Sequence, residues 1–273
     1  MAFEHGTRHS LTGDEVERCL AAALDVCAAA GRVILPHFRE QIAIENKATG
    51  GDYDPVTIAD KEAEATIRAM LHGRFPRHGF FGEEHGHEPG DGLTWVIDPI
   101  DGTRAFMTGM LHWGVLLALF DGTEPVLGVM HQPFTGEFFY GASGRSEYRR
   151  GSETRRLRAR RCADLSDAVL ACTGPNHFTA PERERFDALS RRVRMTRYGG
   201  DCYLYCLVAM GQLDLVVESG LKPYDVQALI PIVRGAGGVL TTWTGGDPAM
   251  GGNVIAAGDG RVHAAAMKTL AER

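Results

Sequence analysis

The sequence lacks several features that would assign it to a common class of protein. None of its six cysteines forms a C-x-x-C pair, and no apolar run reaches the roughly 18 residues of a membrane-spanning helix. The first ten residues are polar and of mixed charge, unlike a secretory signal. We therefore expect buried free thiols rather than a zinc site, no membrane partner, and a cytoplasmic location.

Positive charge is also in short supply. The chain has 29 lysines and arginines against 35 acidic residues, a net charge of −6, which argues against nucleic-acid binding by bulk electrostatics. A small phosphate ester is not excluded, because metal ions can reverse the local field. One segment, residues 149–161, carries seven arginines without interleaved aromatic residues. It predicts a solvated surface hairpin, and the alternative is an anion or nucleic-acid patch.

The apolar pattern predicts an α/β (α+β) protein in two closely packed parts, residues 1–150 and 151–273. Helical stripes at about 16–38 and 57–75 precede several strands joined by tight turns, which predicts two helices followed by a mostly antiparallel sheet. Beyond residue 168, short strands and helices alternate. Within the predicted helix 225–235, Pro231 should cause a kink because proline is unfavourable inside a helix.

The strongest chemical signal is the segment Trp95-Val-Ile-Asp98-Pro-Ile100-Asp101-Gly102-Thr103. A hydrophobic strand delivers two carboxylates, three residues apart, into a turn. Two such carboxylates repel each other unless a cation lies between them, and hard oxygen ligands suit Mg²⁺. The Ile100 carbonyl oxygen is a further candidate ligand. Gly102 and Thr103 then open a helix, whose N–H groups suit a phosphate oxygen.

Three other acidic segments acquire meaning beside this motif. They are Gly82-Glu83-Glu84 after a short strand, Asp60 in the first turn of a helix, and Pro223-Tyr224-Asp225 before another helix. Taken singly, each has an ordinary structural explanation: a solvated edge, a helix-dipole carboxylate and a helix N-cap.

Together these segments resemble the inositol monophosphatase superfamily of Mg²⁺-dependent, lithium-sensitive phosphatases, over a stretch from about Val16 to the C-terminus. The resemblance implies a layered α-β-α-β-α sandwich, usually a homodimer, and hydrolysis by metal-activated water without a phospho-enzyme. It also implies two or three Mg²⁺ ions. The implied ligands are Glu83, Asp98 and the Ile100 carbonyl for the first ion, Asp98, Asp101 and Asp225 for the second, and Asp60 with Glu83 around a third, weaker one.

The resemblance implies roles for further residues near the metals. Thr103 would act with Glu83 in orienting the attacking water, while the N–H groups of Gly102 and Thr103 would hold the phosphate. Lys47 matches a lysine that the family has near the site. A cysteine-phosphatase mechanism is excluded because no cysteine lies in an arginine-containing phosphate loop.

Arg104, Asp201 and Glu218 bear on the choice of phosphate ester. The segments around them are similar to the histidinol-phosphatase branch of the superfamily, and two carboxylates would pair with the ammonium and imidazole of L-histidinol phosphate. Asp201 has an alternative explanation as a helix N-cap. Inositol phosphate or another sugar-alcohol phosphate, and nucleotide-derived phosphates, remain alternatives, as does a non-catalytic role beside the transcription or RNA-processing machinery.

Overall fold

The computed structural model describes residues 6–41, 44–46 and 55–271, so Lys47 lies outside the described residues. Within those ranges there are eight α-helices, bounded as follows: α1 Gly13–Ile34, α2 Ile58–Arg74, α3 Thr103–Met107, α4 Ala180–Ser190, α5 Asp201–Ala209, α6 Pro223–Val226, α7 Leu229–Gly235 and α8 Gly260–Ala271.

Three sheets account for the strands of the described residues. A small hairpin contains β1 Ile44–Asn46 and β2 Pro55–Thr57. The larger sheet has the order β10-β9-β8-β7-β6-β5-β3-β4, with β3 Gly79–Gly82, β4 Gly86–Glu88, β5 Thr94–Asp101, β6 Gly114–Phe120, β7 Pro125–Gln132, β8 Glu137–Ala142, β9 Arg145–Arg150 and β10 Glu153–Arg156. The smaller sheet has the order β12-β11-β13-β15-β14, with β11 Val169–Cys172, β12 Met195–Tyr198, β13 Leu215–Leu221, β14 Val239–Thr242 and β15 Gly252–Ala257.

The helices and the two large sheets form five layers. Helices α1 and α2 cover one face of the larger sheet, whose buried side chains there include Trp95, Ile97 and Leu117. The opposite face packs against α5 and α7, which also touch the smaller sheet, and α4 and α8 cover that sheet's outer face. The predicted α-β-α-β-α sandwich is therefore confirmed.

Local signals fix the ends of the first two helices. Thr12 caps α1 and Thr57 caps α2, and each forms a reciprocal capping box with the acidic residue three positions later, Glu15 and Asp60. The second box matters for the site because it fixes the backbone around Asp60.

Helix α1 bears on the expectation that no apolar run is long enough to cross a membrane. By length and composition alone, the helical segment Gly13–His37 would qualify, although six charged residues interrupt it. More than half of that stretch is buried within the molecule, against α2 and the larger sheet. Its apolar face thus serves the core.

The arginine-rich segment 149–161 behaves as a surface hairpin, as predicted. Strand β10 pairs antiparallel with β9, and residues 153–156 are exposed. Arg160 differs from the others because its guanidinium binds the buried carboxylate of Asp214. Since β10 belongs to the larger sheet, the sheets occupy residues 79–156 and 169–257. The division at residues 150 and 151 stays a prediction.

The helix expected over residues 225–235 is broken into α6 and α7. The break falls at Gln227 and Ala228, and Pro231 lies in the first turn of α7. Proline has no N–H for the carbonyl four residues earlier and its ring crowds that carbonyl, which here belongs to Gln227. The proline therefore acts one turn ahead of its own position.

Candidate active site

A cleft of about 770 Å³ lies where the two large sheets present the carboxyl ends of their strands. Residues that follow β3, β5 and β11 meet there with residues of β13, the position at which α/β sheets usually bind ligands. All but one of the predicted site residues line it, namely Glu83, Asp98, Ile100, Asp101, Gly102, Thr103, Arg104, Asp201, Glu218 and Asp225. The exception is Asp60.

Three aspartates converge at the floor of this cleft. Carboxylate oxygens of Asp98, Asp101 and Asp225 all lie within 4.8 Å of one another. A bulge in the pairing of β5 with β6 occurs between Asp98 and Asp101 and brings both toward the cleft. Asp225 comes from the first turn of α6, where its carboxylate also accepts the Lys222 N–H at 2.7 Å. Asp225 is therefore not the N-cap of α6, which is Lys222; it occupies the third helical position, and its hydrogen bond to the cap residue is compatible with metal ligation.

Electrostatic repulsion marks this group as a cation site. Burial raises the pKa of Asp98 well above its usual range, and Glu83, Asp101, Asp225 and Asp60 raise it further. Burial, Asp201 and Asp225 likewise raise the pKa of Asp101, although its carboxylate accepts the Cys202 N–H at 2.6 Å. Clustered carboxylates of this kind become stable as anions when a divalent cation neutralises them. The all-oxygen donor set fits Mg²⁺.

Glu83 and Asp60 approach the three aspartates from other elements. Glu83 directly follows β3, which runs parallel to β5, and its N–H donates to the Ile97 carbonyl at 3.2 Å. Asp60 is buried, and its carboxylate accepts both the N–H and the hydroxyl of Thr57 at 2.8 and 2.6 Å. Asp60 therefore acts on the cluster through its charge from outside the cleft lining.

Gly102 begins α3 at a point with no room for a side chain. It adopts φ 85°, and a Cβ atom would lie 2.5 Å from the His112 carbonyl oxygen. The next residue, Thr103, donates its hydroxyl to the Ile100 carbonyl oxygen at 3.1 Å. Its predicted interaction with Glu83 stays a prediction. The N–H groups at the start of α3 have no carbonyl partner within the helix, as a phosphate-binding role requires.

A second part of the cleft wall carries another set of charges. Glu218 on β13 is buried, and its carboxylate accepts the Thr173 N–H at 2.6 Å. Burial raises its pKa to about 8, despite that hydrogen bond. Burial also raises the pKa of Asp201, to about 6, whereas the charge of Arg104 lowers it. Asp201 is not the N-cap of α5; it is the first helical residue, with φ 44°, after Gly200.

Sequence reasoning missed the loop that follows β11. Thr173, Gly174, Asn176 and His177 line the cleft beside Glu218. Burial and the nearby Arg104 lower the pKa of His177, so this imidazole is neutral near pH 7. The signal was present in the sequence, because a polar loop with glycine and proline directly follows a predicted buried strand, and ligands bind beyond such strand ends.

All six cysteines are buried and free, as predicted. The pair Cys202 and Cys206 lies inside α5, and burial raises the pKa of both thiols. The contribution of Cys202 to the site is its backbone N–H, which binds Asp101.

The whole chain from the first helix onward matches one family of known proteins. Residues 15–273 match the profile of the inositol monophosphatase family. The chain belongs to this family. It is 38% identical over 272 residues to the "Bifunctional phosphatase IMPL2, chloroplastic" of Arabidopsis thaliana, covering 95% of this chain and 77% of that protein. A histidinol-phosphatase of Chlorobaculum parvum is 35% identical over 253 residues, covering 87% and 95%.

The fold agrees with solved structures of the family. An inositol monophosphatase from Zymomonas mobilis superposes with a TM-score of 0.83 at 39% identity, covering 93% of this chain and 98% of that one. Family membership and the aspartate cluster together make the chain a metal-dependent phosphatase. Similar relatives carry names that refer to different substrates, so the phosphate ester has to be argued from the cleft itself.

Proposed function

We propose that the protein hydrolyses L-histidinol phosphate to L-histidinol and phosphate. The observation that carries this proposal is the pair of carboxylates, Asp201 and Glu218, which line the cleft next to the aspartate cluster. They interact electrostatically with each other, so they form one acidic region rather than two separate ones. The alcohol part of L-histidinol phosphate carries an ammonium group, which such a region would attract.

We assign Mg²⁺ ligation to the acidic floor of the cleft. The proposed ligands are Glu83, Asp98 and the Ile100 carbonyl at one ion, Asp98, Asp101 and Asp225 at a second, and Asp60 with Glu83 around a third. Bound Mg²⁺ supplies an acidified water as nucleophile and neutralises charge on the phosphoryl oxygens and the leaving alkoxide.

The protein groups around this floor then orient the reaction. The N–H groups of Gly102 and Thr103 bind phosphoryl oxygens, where their dipoles stabilise the charge that develops during the displacement. The Thr103 hydroxyl, which donates to the Ile100 carbonyl oxygen at 3.1 Å, would orient the attacking water. Glu83 completes the orientation of this water.

A second substrate class has its own support. Arg104 lies close enough to Asp201 to lower its pKa, so part of the acidic character of this wall is already matched by a guanidinium. A neutral polyol such as inositol 1-phosphate would suit a wall whose charges are balanced in this way. Glu218 decides between the two, because the charges that act most strongly on it are those of Asp201 and Asp225, which are both negative.

One comparison tests the assignment. We expect a higher kcat/KM for L-histidinol phosphate than for inositol 1-phosphate, measured side by side with saturating Mg²⁺. Above about pH 8, where the Glu218 carboxyl group is ionised, Glu218→Gln should lower the first value about ten- to a hundredfold, since a charge-assisted contact contributes roughly 1.5–3 kcal/mol. It should leave p-nitrophenyl phosphate nearly unchanged, because that ester lacks a cationic end. A wild-type preference for inositol 1-phosphate would reject the histidinol assignment.

Assembly and location are part of the same proposal. We propose a cytoplasmic homodimer that acts on a small phosphate ester and does not bind nucleic acid. The exposed arginines of the β9–β10 hairpin offer the alternative of a non-catalytic binding role. Mg²⁺-dependent phosphate release, measured beside capture of nucleic acid or of RNA polymerase, distinguishes the two.

A further inference from the structure

Helix α2 carries a buried carboxylate that the proposed chemistry leaves without a role. Glu64 lies one turn after Asp60 and has no exposed surface. Its Oε2 atom accepts the Glu84 N–H at 2.7 Å, and its Oε1 atom accepts the His85 N–H at 3.3 Å. A buried carboxylate is costly to remove from water unless donors of this kind surround it. These donors belong to the two residues that follow Glu83.

Arg68, one turn further along α2, completes the arrangement. Its Nε atom donates to Glu64 Oε1 at 2.8 Å, and another nitrogen of the same guanidinium donates to the Gly86 carbonyl at 2.5 Å. The guanidinium also lies over the Phe80 ring, 5.4 Å from its centroid. The pair thus holds the backbone of residues 84–86 through both its N–H and its carbonyl groups.

Gly82 gives an independent indication of how tightly this carboxylate is fitted. A Cβ atom at position 82 would lie 1.9 Å from Glu64 Oε1 and 2.4 Å from its Cδ. The side chain of Glu64 therefore occupies the space beside the backbone on the other side of Glu83. Only glycine at position 82 leaves room for it.

The backbone of Glu83 is consequently held from two sides. The strand pairing of β3 with β5 and the hydrogen bond from its N–H to Ile97 hold it from the sheet side. Glu64 and Arg68 hold the following residues from the helix side. A metal ligand retains affinity only if its direction is fixed before the ion arrives.

We propose that Glu64 and Arg68 are positioning residues that set the direction of the Glu83 carboxylate and thereby the affinity of the site for Mg²⁺. This inference rests on the proposed assignment of Glu83 as a metal ligand. Helix α2 also carries Asp60. The helix would therefore position two acidic groups at one cation site, Asp60 directly and Glu83 through Glu64 and Arg68.

The test measures Mg²⁺ binding directly, by calorimetry on the purified protein without substrate. Glu64→Gln should weaken Mg²⁺ binding about ten- to a hundredfold, the range typical of groups that orient metal ligands. The Mg²⁺ concentration for half-maximal hydrolysis of p-nitrophenyl phosphate should rise in parallel, with the KM for the ester at saturating Mg²⁺ unchanged. Glu62→Gln, the same change at an exposed position of α2, is the control and should alter neither value.

A double-mutant cycle separates positioning from general stability. If Glu64 acts through Glu83, then Glu64→Gln should have little further effect on Mg²⁺ binding in a Glu83→Gln background. Arg68→Lys is the milder variant should Glu64→Gln not fold, and it should weaken binding in the same direction because an ammonium cannot bind Glu64 and Gly86 together.

Two outcomes overturn different statements. Unchanged Mg²⁺ affinity in Glu64→Gln and Arg68→Lys, or full additivity in the cycle, would reject the positioning role even if the thermal midpoint falls. Unchanged Mg²⁺ affinity in Glu83→Gln alone would reject the ligand assignment on which the inference rests.

Discussion

We expect the Glu218 carboxyl group to destabilise the metal-free protein at alkaline pH. Its carboxyl group is buried, and its pKa is raised to about 8 from the ordinary 4.5. Between these two values the folded state holds a proton that the unfolded state has released. Stability therefore falls as the pH rises from about 4.5 to about 8 and levels off above that.

The magnitude follows from the same two values. One pKa unit corresponds to about 1.4 kcal/mol, so the rise from 4.5 to about 8 amounts to at most about 5 kcal/mol. Glu218→Gln removes the titration but keeps an amide oxygen that can accept the Thr173 N–H. The variant should match the wild type near pH 5 and exceed it by roughly 2–5 kcal/mol at pH 8.5.

Urea unfolding in EDTA, measured from pH 5 to pH 9, gives the required free energies. The other raised carboxylates titrate in both proteins, so the difference between variant and wild type isolates Glu218. Glu62→Gln, at an exposed glutamate, should show a difference that does not vary with pH. A variant-minus-wild-type difference that is constant across the range would refute the argument that Glu218 is buried as an acid.

Three further perturbations test the metal site and the role of Asp201. EDTA should abolish phosphate release and added Mg²⁺ restore it, with millimolar lithium inhibiting; activity that survives exhaustive chelation would exclude the metal mechanism. Asp101→Asn should lower kcat on the order of a hundredfold or more while stabilising the metal-free fold, because it relieves carboxylate repulsion. A near-normal kcat would show that the site is elsewhere. Asp201→Asn tolerates the left-handed backbone and should lower kcat/KM for L-histidinol phosphate with little change in the urea midpoint; equal losses on p-nitrophenyl phosphate would indicate a structural role.

The sequence grouped the residues of the acidic floor because most of them are close together in the chain; their role as metal ligands stays a prediction. Asp98, Ile100, Asp101, Gly102 and Thr103 fall within six consecutive positions, and a strand followed by a short helix fixes their relative directions. The five-layer fold followed from the resemblance, and the change of pattern near residue 168 indicated the mixed α/β second part. Local periodicity also identified α1 and α2 as core helices.

The part of the cleft around Asp201 and Glu218 was predicted less completely because tertiary contacts assemble it. Arg104 reaches Asp201 across 97 positions of the chain, and the Thr173 N–H reaches Glu218 across 45. Asp201 was considered as an N-cap because aspartate is common there, whereas the structure gives that position to Gly200. No local pattern reveals a carboxylate whose main neighbours are distant in sequence.

The sequence did not reveal the proposed positioning role of Glu64 and Arg68, for a related reason. On a helical wheel these residues, four positions apart, predict an ordinary surface ion pair of small energetic value. Burial distinguishes this pair from a surface ion pair. Glu64 has no exposed surface, and its carboxylate also accepts a hydrogen bond from the backbone after Glu83. Burial depends on β3 and β4 covering α2, which the spacing of charged residues does not encode.

The proposed roles of the acidic floor and of the region around Glu218 differ, which explains how one chemistry could serve several esters. The floor receives its carboxylates from β5, from the residue after β3 and from the first turn of α6. All of them are proposed to act on the phosphate through bound metal ions, and every phosphomonoester has this phosphate. The residues proposed to meet the alcohol come from β13, the start of α5 and the loop after β11. The start of α5 is coupled to the floor, because the Cys202 N–H binds Asp101 and the charge of Asp201 raises the pKa of Asp101. Substrate choice can therefore shift most freely through Glu218 and the 173–177 loop, which lie on and after strands of the smaller sheet.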